Sequence, residues 1–188
     1  MKHLLAAALL CLPALARADD CAPKNAAPLR VRLNPGYAML YQEAEGLPGI
    51  HWLVDLKQQS SESKHLVDDA IAYWKQLTRT MEKLAAAHPD LDLKMNPMSD
   101  VLGEAREAQG EDRFHAMRPV VGESGPDFER DLTMLLRDAI DEQRHIAAVL
   151  QKDETNPELK SFLADTYSRL NRLHGRFDRQ LQRYFKNP

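Results

Sequence analysis

Residues 126–185, "PDFERDLTMLLRDAIDEQRHIAAVLQKDETNPELKSFLADTYSRLNRLHGRFDRQLQRYF", decide the fold. Pro126 and the pair Asn156-Pro157 are typical of helix starts, because asparagine caps a helix and proline fits its first position. Apolar residues then recur every three or four positions. They are Phe128, Leu132, Leu135, Ala139, Ile146 and Leu150, followed by Leu159, Leu163, Leu170, Phe177 and Leu181. The pattern predicts helices over 126–152 and 157–185, and the short loop between them makes them antiparallel neighbours.

The upstream sequence predicts further helices. Asn34 and Gly46 are suited to cap a short helix over 35–45. A long helix over 50–88 should stop at Pro89, and its apolar seam is interrupted by serines in "QQSSES" (58–63), which indicates either a break or a close approach by a neighbour. Residues 89–125 are irregular apart from a short helix over 99–109. We expect an all-α, up-down antiparallel helical bundle with long helices and an irregular middle connection, forming one domain over 34–188.

The N-terminus "MKHLLAAALLCLPALARADDC" is typical of a secretory signal peptide over 1–18, cleaved after Ala18. Its apolar run is shorter than the ~20 residues that span a bilayer, and no later segment could cross a membrane. The protein is therefore predicted to be periplasmic or secreted, with residues 19–33 extended or disordered. Cleavage would leave Cys21 as the only cysteine, free for an intermolecular disulfide.

Charge narrows the classes of partner. The formal net charge is −3, and the signal removes the cations Lys2 and Arg17, so the mature chain would carry −5. A net negative exported protein is not expected to bind nucleic acid. The sequence contains no Gly-x-Ser-x-Gly, no phosphate-binding glycine loop and no Cys-His arrangement, so we expect no enzymatic activity.

Two Glu-x-x-His pairs raise the question of a metal site. Glu142 with His145, and Glu62 with His65, have the spacing that di-iron helical bundles use. At ~100° per residue, Glu142 falls on the flank of the apolar stripe and His145 points to solvent. Glu62 and His65 lie opposite their seam. This phase favours solvated helix faces over a buried dinuclear centre.

A second set of candidate ligands consists of thioethers and imidazoles. "MNPM" and "HAM" contribute Met95, Met98, His115 and Met117, which would suit copper. His174, on the edge of the last apolar stripe, could be a ligand, but a boundary histidine satisfied within the fold is favoured.

The last helix carries a cationic stripe that includes Arg169, Arg172, Arg176, Arg179, Arg183 and Lys186. The hairpin register predicts an ion-pair ladder between the two helices, joining Asp131 to Arg179, Asp138 to Arg172 and Glu142 to Arg169. Arg176, Arg183 and Lys186 have no partner in this ladder. They are therefore candidates for contact with an anionic partner.

The segment 128–181, with "NPELKSFLADT" followed by His174, resembles the closing hairpin of secreted, ferritin-like four-helix bundles of unknown function. The resemblance implies a four-helix bundle in which a metal site is allowed but not required.

These observations favour an exported, non-catalytic binding or accessory protein that acts through an unidentified protein partner and needs no cofactor. The alternative is a metal-binding bundle that holds copper through Met and His, or iron or zinc through Glu and His. Metal analysis of the purified protein separates the two hypotheses.

Overall fold

The computed structural model describes residues 26–57, 60–116 and 125–186, so the predicted signal peptide and Cys21 lie outside the described residues. The described chain is helical: α1 (Ala26–Gly46), a 3₁₀ turn (Leu47–Ile50), α2 (His51–Leu56), α3 (Ser61–Ala87), α4 (Asp100–Ala116), α5 (Pro126–Asp153) and α6 (Pro157–Lys186). The predicted all-α class is confirmed.

The closing hairpin is confirmed almost to the residue. Pro126 opens α5 after Gly125, which adopts a positive φ of 67°. Asn156 caps α6, because its Oδ1 accepts hydrogen bonds from the backbone amides of Glu158 at 2.9 Å and Leu159 at 3.2 Å. The capping and proline signals therefore located both helix starts.

The predicted long helix over 50–88 is two helices. Ser60 caps α3, since its hydroxyl oxygen accepts from the Ser63 amide at 3.3 Å. The seam predicted for this region is buried from Ser63 onwards, at Val67, Ala70, Trp74, Leu77, Met81 and Leu84. The serines in "QQSSES" therefore mark a helix start, and α3 ends one residue before His88, ahead of Pro89.

The first helix was predicted correctly at its end, near Gly46, but wrongly at its start. Residues 26–33, expected to be extended, belong to α1, and Pro35 lies inside that helix. Asn34 does not cap it; its Nδ2 donates to the carbonyl of Asp90 at 2.9 Å. Burial of Leu33 and Tyr37 in the core offsets the hydrogen bond that proline cannot make.

Four long helices surround the core, and helices adjacent around the bundle run antiparallel. Helices α5 and α6 are joined by hydrogen bonds between Glu129 and Tyr184, Arg137 and Asp178, and Arg144 and Asn171. The residue number rises along α5 as it falls along α6, so the two helices are antiparallel. Helix α1 contacts α3 through Tyr41–Glu82 and the residues just after α3 through Asn34–Asp90. It contacts the end of α5 through Arg30–Glu154 and the close approach of Gly36 to Leu150. An added Cβ at Gly36 would lie 2.8 Å from Leu150 Cδ2, so glycine lets these helices meet closely.

The chain order of the bundle is up, down, down, up. Helices α3 and α5 are parallel, because Ser60 contacts Glu129 and Trp74 contacts Gln143 with the same offset along both helices. A parallel pair requires the chain to cross the length of the bundle between them. The predicted irregular middle connection is therefore a crossover, and it contains α4, which is longer than the predicted 99–109 helix.

The apolar stripe of α5 is rotated from its predicted phase. Phe128, Leu132 and Leu150 are buried as expected, but between Leu132 and Leu150 the buried positions are Thr133, Leu136, Ile140, Gln143 and Ala147. Leu135, Ala139 and Ile146 are only partly buried. This rotation decides which charged side chains of α5 face α6.

Within the described ranges, no helix combines the length and apolar character needed to cross a membrane.

Candidate functional site

The most distinctive surface of the bundle is a groove between α3 and α6 that is lined by arginines. Three contiguous depressions of about 420, 480 and 390 Å³ follow it. We call it the arginine groove, defined by Arg169, Arg172, Arg176, Arg179 and Arg183 of α6 with Glu62, Asp69, Tyr73 and Gln76 of α3. It carries five arginines against the carboxylates of Glu62, Asp69 and Asp165, so its charge is positive on a net negative chain.

An inner row of arginines contacts α3 at seven-residue intervals. Arg176 Nη2 pairs with Asp69 Oδ2 at 2.7 Å, and Arg183 pairs with Glu62. Arg169 Nη1 donates to Gln76 Oε1 at 3.0 Å. Arg176 and Arg183 were expected to be unpartnered, and the structure instead gives each an acidic partner on α3. The side chain of Lys186, the third residue of that set, lies outside the described residues.

An outer row, Arg172 and Arg179, faces solvent beside the inner row. Arg172 Nη1 donates to the neutral hydroxyl of Ser168 at 2.8 Å. In the part of the chain that the structure describes, neither residue has an acidic partner within ion-pair distance. Arg169 of the inner row contacts only the neutral Gln76, so the uncompensated positive charge of the arginine groove lies on Arg169, Arg172 and Arg179.

The floor of the arginine groove is partly apolar. Leu77 and Phe162 line it beside Tyr73. Burial raises the pKa of the Tyr73 phenol to about 12, while the Thr166 hydroxyl and Arg169 act in the opposite direction. The Tyr73 hydroxyl nevertheless lacks a hydrogen bond of normal geometry among the described residues. The groove thus offers a partner an apolar floor and a cationic rim.

His174 lies in a polar cluster between α5 and α6, where it is 8% exposed. Its Nδ1 is 3.2 Å from Asp178 and its Nε2 is 3.3 Å from Asp141. Burial lowers the pKa of His174, with Arg144 and Arg137 acting in the same direction and the two aspartates opposing them. Both aspartates are themselves paired with these arginines, and the Nε2 of His174 is buried without a hydrogen bond of normal geometry among the described residues.

Glu142 and His145, the first Glu-x-x-His pair, have different surroundings in the structure. Glu142 pairs with Arg106 of α4 at 2.6 Å, whereas His145 is 64% exposed and 3.8 Å from Asp141. Glu62 and His65 are exposed on α3, as their phase predicted.

Of the candidate copper ligands, only the side chains of Met95 and Met98 are among the described residues. Met95 and Met98 are half-buried in the loop before α4, where the Met95 carbonyl accepts from Gln42 at 3.1 Å. Met117 and the side chain of His115 lie outside the described residues. Among the residues described, no three His, Cys, Asp or Glu side chains form a group that could hold a metal ion.

The three ion pairs predicted between α5 and α6 were wrong. Asp131 and Asp138 pair with their neighbours Arg130 and Arg137, and Glu142 turns towards α4. The contact actually made across the hairpin is Arg137 with Asp178 at 3.0 Å. The rotated apolar stripe explains this, because it turns Arg137 rather than Asp138 towards α6.

No family model matches the sequence, and no significant similarity to a curated protein or to a solved structure is found.

The sequence interpretation identified the arginine stripe but assigned it to the wrong neighbour. The signal that could have found the true one is the seven-residue spacing of Glu62, Asp69 and Gln76, which matches that of Arg183, Arg176 and Arg169 in an antiparallel pair.

Proposed function

We propose that this chain is an exported helical-bundle binding protein that acts without catalysis, through a protein partner that presents acidic residues to the arginine groove. The observation that carries the proposal is the outer row, where Arg172 and Arg179 leave positive charge exposed next to an apolar floor. Surface charges of this kind steer association and select partners more than they add affinity.

The spacing of the outer row favours a helical partner segment. Arg172 and Arg179 are seven residues apart, and Lys186 continues the same spacing in the sequence. An amphipathic helix with carboxylates at seven-residue intervals would match this row, and its apolar residues would cover Leu77 and Phe162.

Export is supported by the N-terminal sequence, and the ferritin-like resemblance is supported by the single long crossover, which that topology also uses. Metal binding stays the alternative, and metal analysis of the purified protein is its measurement. A stoichiometric metal that is lost in H145A or M98A would favour it over the binding proposal.

Charge reversal tests the proposal directly. The variant R172E/R179E reverses the outer row, and K75E/K160E makes the same charge change at exposed positions that do not line the arginine groove. The probe is a fluorescent helical peptide with glutamates at seven-residue intervals, compared with a scrambled peptide of equal composition. We expect R172E/R179E to weaken binding of the ordered peptide at least tenfold and K75E/K160E to change it less than threefold.

Binding should also weaken as salt is raised, because the contacts are between exposed charges. In cells, a photocrosslinker at Ala72, on the exposed wall of the groove, should capture one envelope protein in the parent and in K75E/K160E but not in R172E/R179E. Equal peptide binding by both reversals, or no preference for the ordered peptide, would contradict the proposal.

A further inference from the structure

A second cleft, on the face of the bundle formed by α1 and α5, has a different chemistry. It encloses about 720 Å³ between the end of α1, the 3₁₀ turn, α4 and α5. Leu47, Ile50, Leu135 and Ala139 form its apolar walls. Clefts of roughly 300–1,000 Å³ with mostly apolar walls and a few converging polar groups are typical small-molecule sites.

Three charged side chains converge at one end of this cleft. Arg106 of α4 places one nitrogen, Nη2, against both Glu43 of α1 and Glu142 of α5, the latter at 2.6 Å. Asp138 lies on the rim. Asp138 is itself paired with Arg137, so at this end of the cleft two carboxylates face one cation.

Glu43 is poorly satisfied for a buried carboxyl group. Its Oε2 is buried without a hydrogen bond of normal geometry, although the amide of Gln143 lies nearby. Burial raises the pKa of Glu43 to about 7, and the neighbouring Glu142 acts in the same direction against Arg106. A second donor reaching this carboxyl would complete its hydrogen bonding.

The two carboxylates stand on well-packed helices, whereas the arginine does not. Behind Glu43, Gln143 is fixed by the indole of Trp74, which donates to its Oε1 at 2.8 Å, and both residues are fully buried. In contrast, Val101 and Leu102 of α4 are 76% and 61% exposed. Among the described residues, Arg106 makes the only side-chain hydrogen bonds or ion pairs that join α4 to the other long helices.

We propose that the cleft beneath α4 binds a small amphipathic cation, whose charged head lies between Glu43 and Glu142 in place of the Arg106 guanidinium and whose apolar part lies along Leu47, Ile50 and Leu135. Arg106 then occupies the site in the ligand-free protein, and α4 is the element that moves aside. This site is independent of the arginine groove, because the two have opposite charge and share no residue.

The test uses hexylguanidinium and its neutral isostere hexylurea, titrated into the purified full chain by calorimetry. We expect hexylguanidinium to bind at least tenfold more tightly than hexylurea. R106Q should tighten its binding at least threefold, because the competing guanidinium is removed. E43Q/E142Q should abolish the preference for the cation.

The matched control is D127N/D131N, which removes two carboxylates near the start of α5 that do not line the cleft, and it should bind hexylguanidinium like the parent. The single variant E142Q replaces the double variant if E43Q/E142Q fails to fold, because Glu142 is only half-buried. E142Q should weaken the binding of hexylguanidinium at least threefold. Equal affinity for hexylurea, unchanged or weaker binding in R106Q, or full binding in E142Q would each overturn the proposal.

Discussion

At the scale of single residues, two buried carboxyl groups have opposite effects on stability. Glu154, at the end of α5, accepts hydrogen bonds from Arg30 at 2.9 and 3.2 Å, from Tyr37 at 2.8 Å and from the amides of Thr155 and Asn156. Glu43 has Arg106 but also an unsatisfied oxygen and a neighbouring carboxylate. The charge of Glu154 is therefore fully compensated by its donors, whereas the charge of Glu43 is compensated only by Arg106.

Removing Glu154 should therefore be costly. Burial alone would raise its pKa, but the Asn156 amide, Arg30 and Tyr37 hold the pKa of Glu154 below its usual value. E154A removes the buried partner of Arg30, which keeps only the exposed Asp90, and it also removes the acceptor of the Tyr37 hydroxyl. We therefore expect a loss of about 3 kcal/mol in the free energy of unfolding by urea denaturation. The control Y37F removes one hydrogen bond and should lose only about 1 kcal/mol. Equal losses in the two variants would contradict this account.

Ionisation of Glu43 should lower the free energy of unfolding, whereas ionisation of Glu154 should raise it. Its pKa is near 7 in the folded protein and is 4.5 for the unperturbed group, so between these pH values the folded state binds the extra proton. Ionisation of Glu43 thus destabilises the fold as pH rises from about 5 to 8. The free energy of unfolding of E43Q, measured relative to the parent, should increase over this interval. A difference that is constant with pH would refute the assignment.

At the scale of elements, the start of α3 is tied to two other helices. The Glu129 carboxylate of α5 accepts from the Ser60 backbone amide, from the Ser60 hydroxyl at 2.9 Å and from the Tyr184 hydroxyl of α6 at 2.9 Å. Ser60 also caps α3. One carboxylate therefore joins the first turn of α3 to both helices of the closing hairpin.

S60A tests this junction. The variant loses the helix cap and one hydrogen bond to Glu129, and we expect a loss of about 1–2 kcal/mol in thermal or urea unfolding. The neighbouring S61A should change stability by less than about 0.5 kcal/mol, because Ser61 is exposed and does not cap the helix. A similar loss in both variants would mean that the cap does not stabilise α3.

At the scale of the whole molecule, the order up, down, down, up can be tested by crosslinking. An added Cβ at Gly36 would lie 3.3 Å from Leu150 Cγ, the position that a cysteine sulfur would take there, so we expect a disulfide to form between cysteines at these positions. In a C21S background, G36C/L150C should oxidise readily and raise the melting temperature. In G46C/L150C, where nothing surrounds the added Cβ at position 46, the thiols should stay reduced. Oxidation of only the second pair would disprove the antiparallel contact between α1 and α5.

The sequence by itself determined the all-α class, the bounds of α5 and α6, and the exposure of His145, Glu62 and His65. These follow from capping residues and from a 3.6-residue period, which act within about one turn of the chain. It did not determine that α1 begins at Ala26, since a proline inside a helix is tolerated only where distant residues bury the helix face. The phase predicted for α5, through Leu135, differs from the buried stripe through Leu136, because both leucines fit an apolar stripe.

Only the tertiary structure decided which partner each charge takes. The choice between Leu135 and Leu136 is made by contacts with other helices, and it turns Arg137 to α6 and Glu142 to Arg106. The crossover through α4 then places α3 beside α6, so that the arginine stripe meets Glu62 and Asp69, over a hundred residues away. A helix period fixes the angle of each side chain about its own axis, but the neighbour at that angle is set by the packing of the whole bundle.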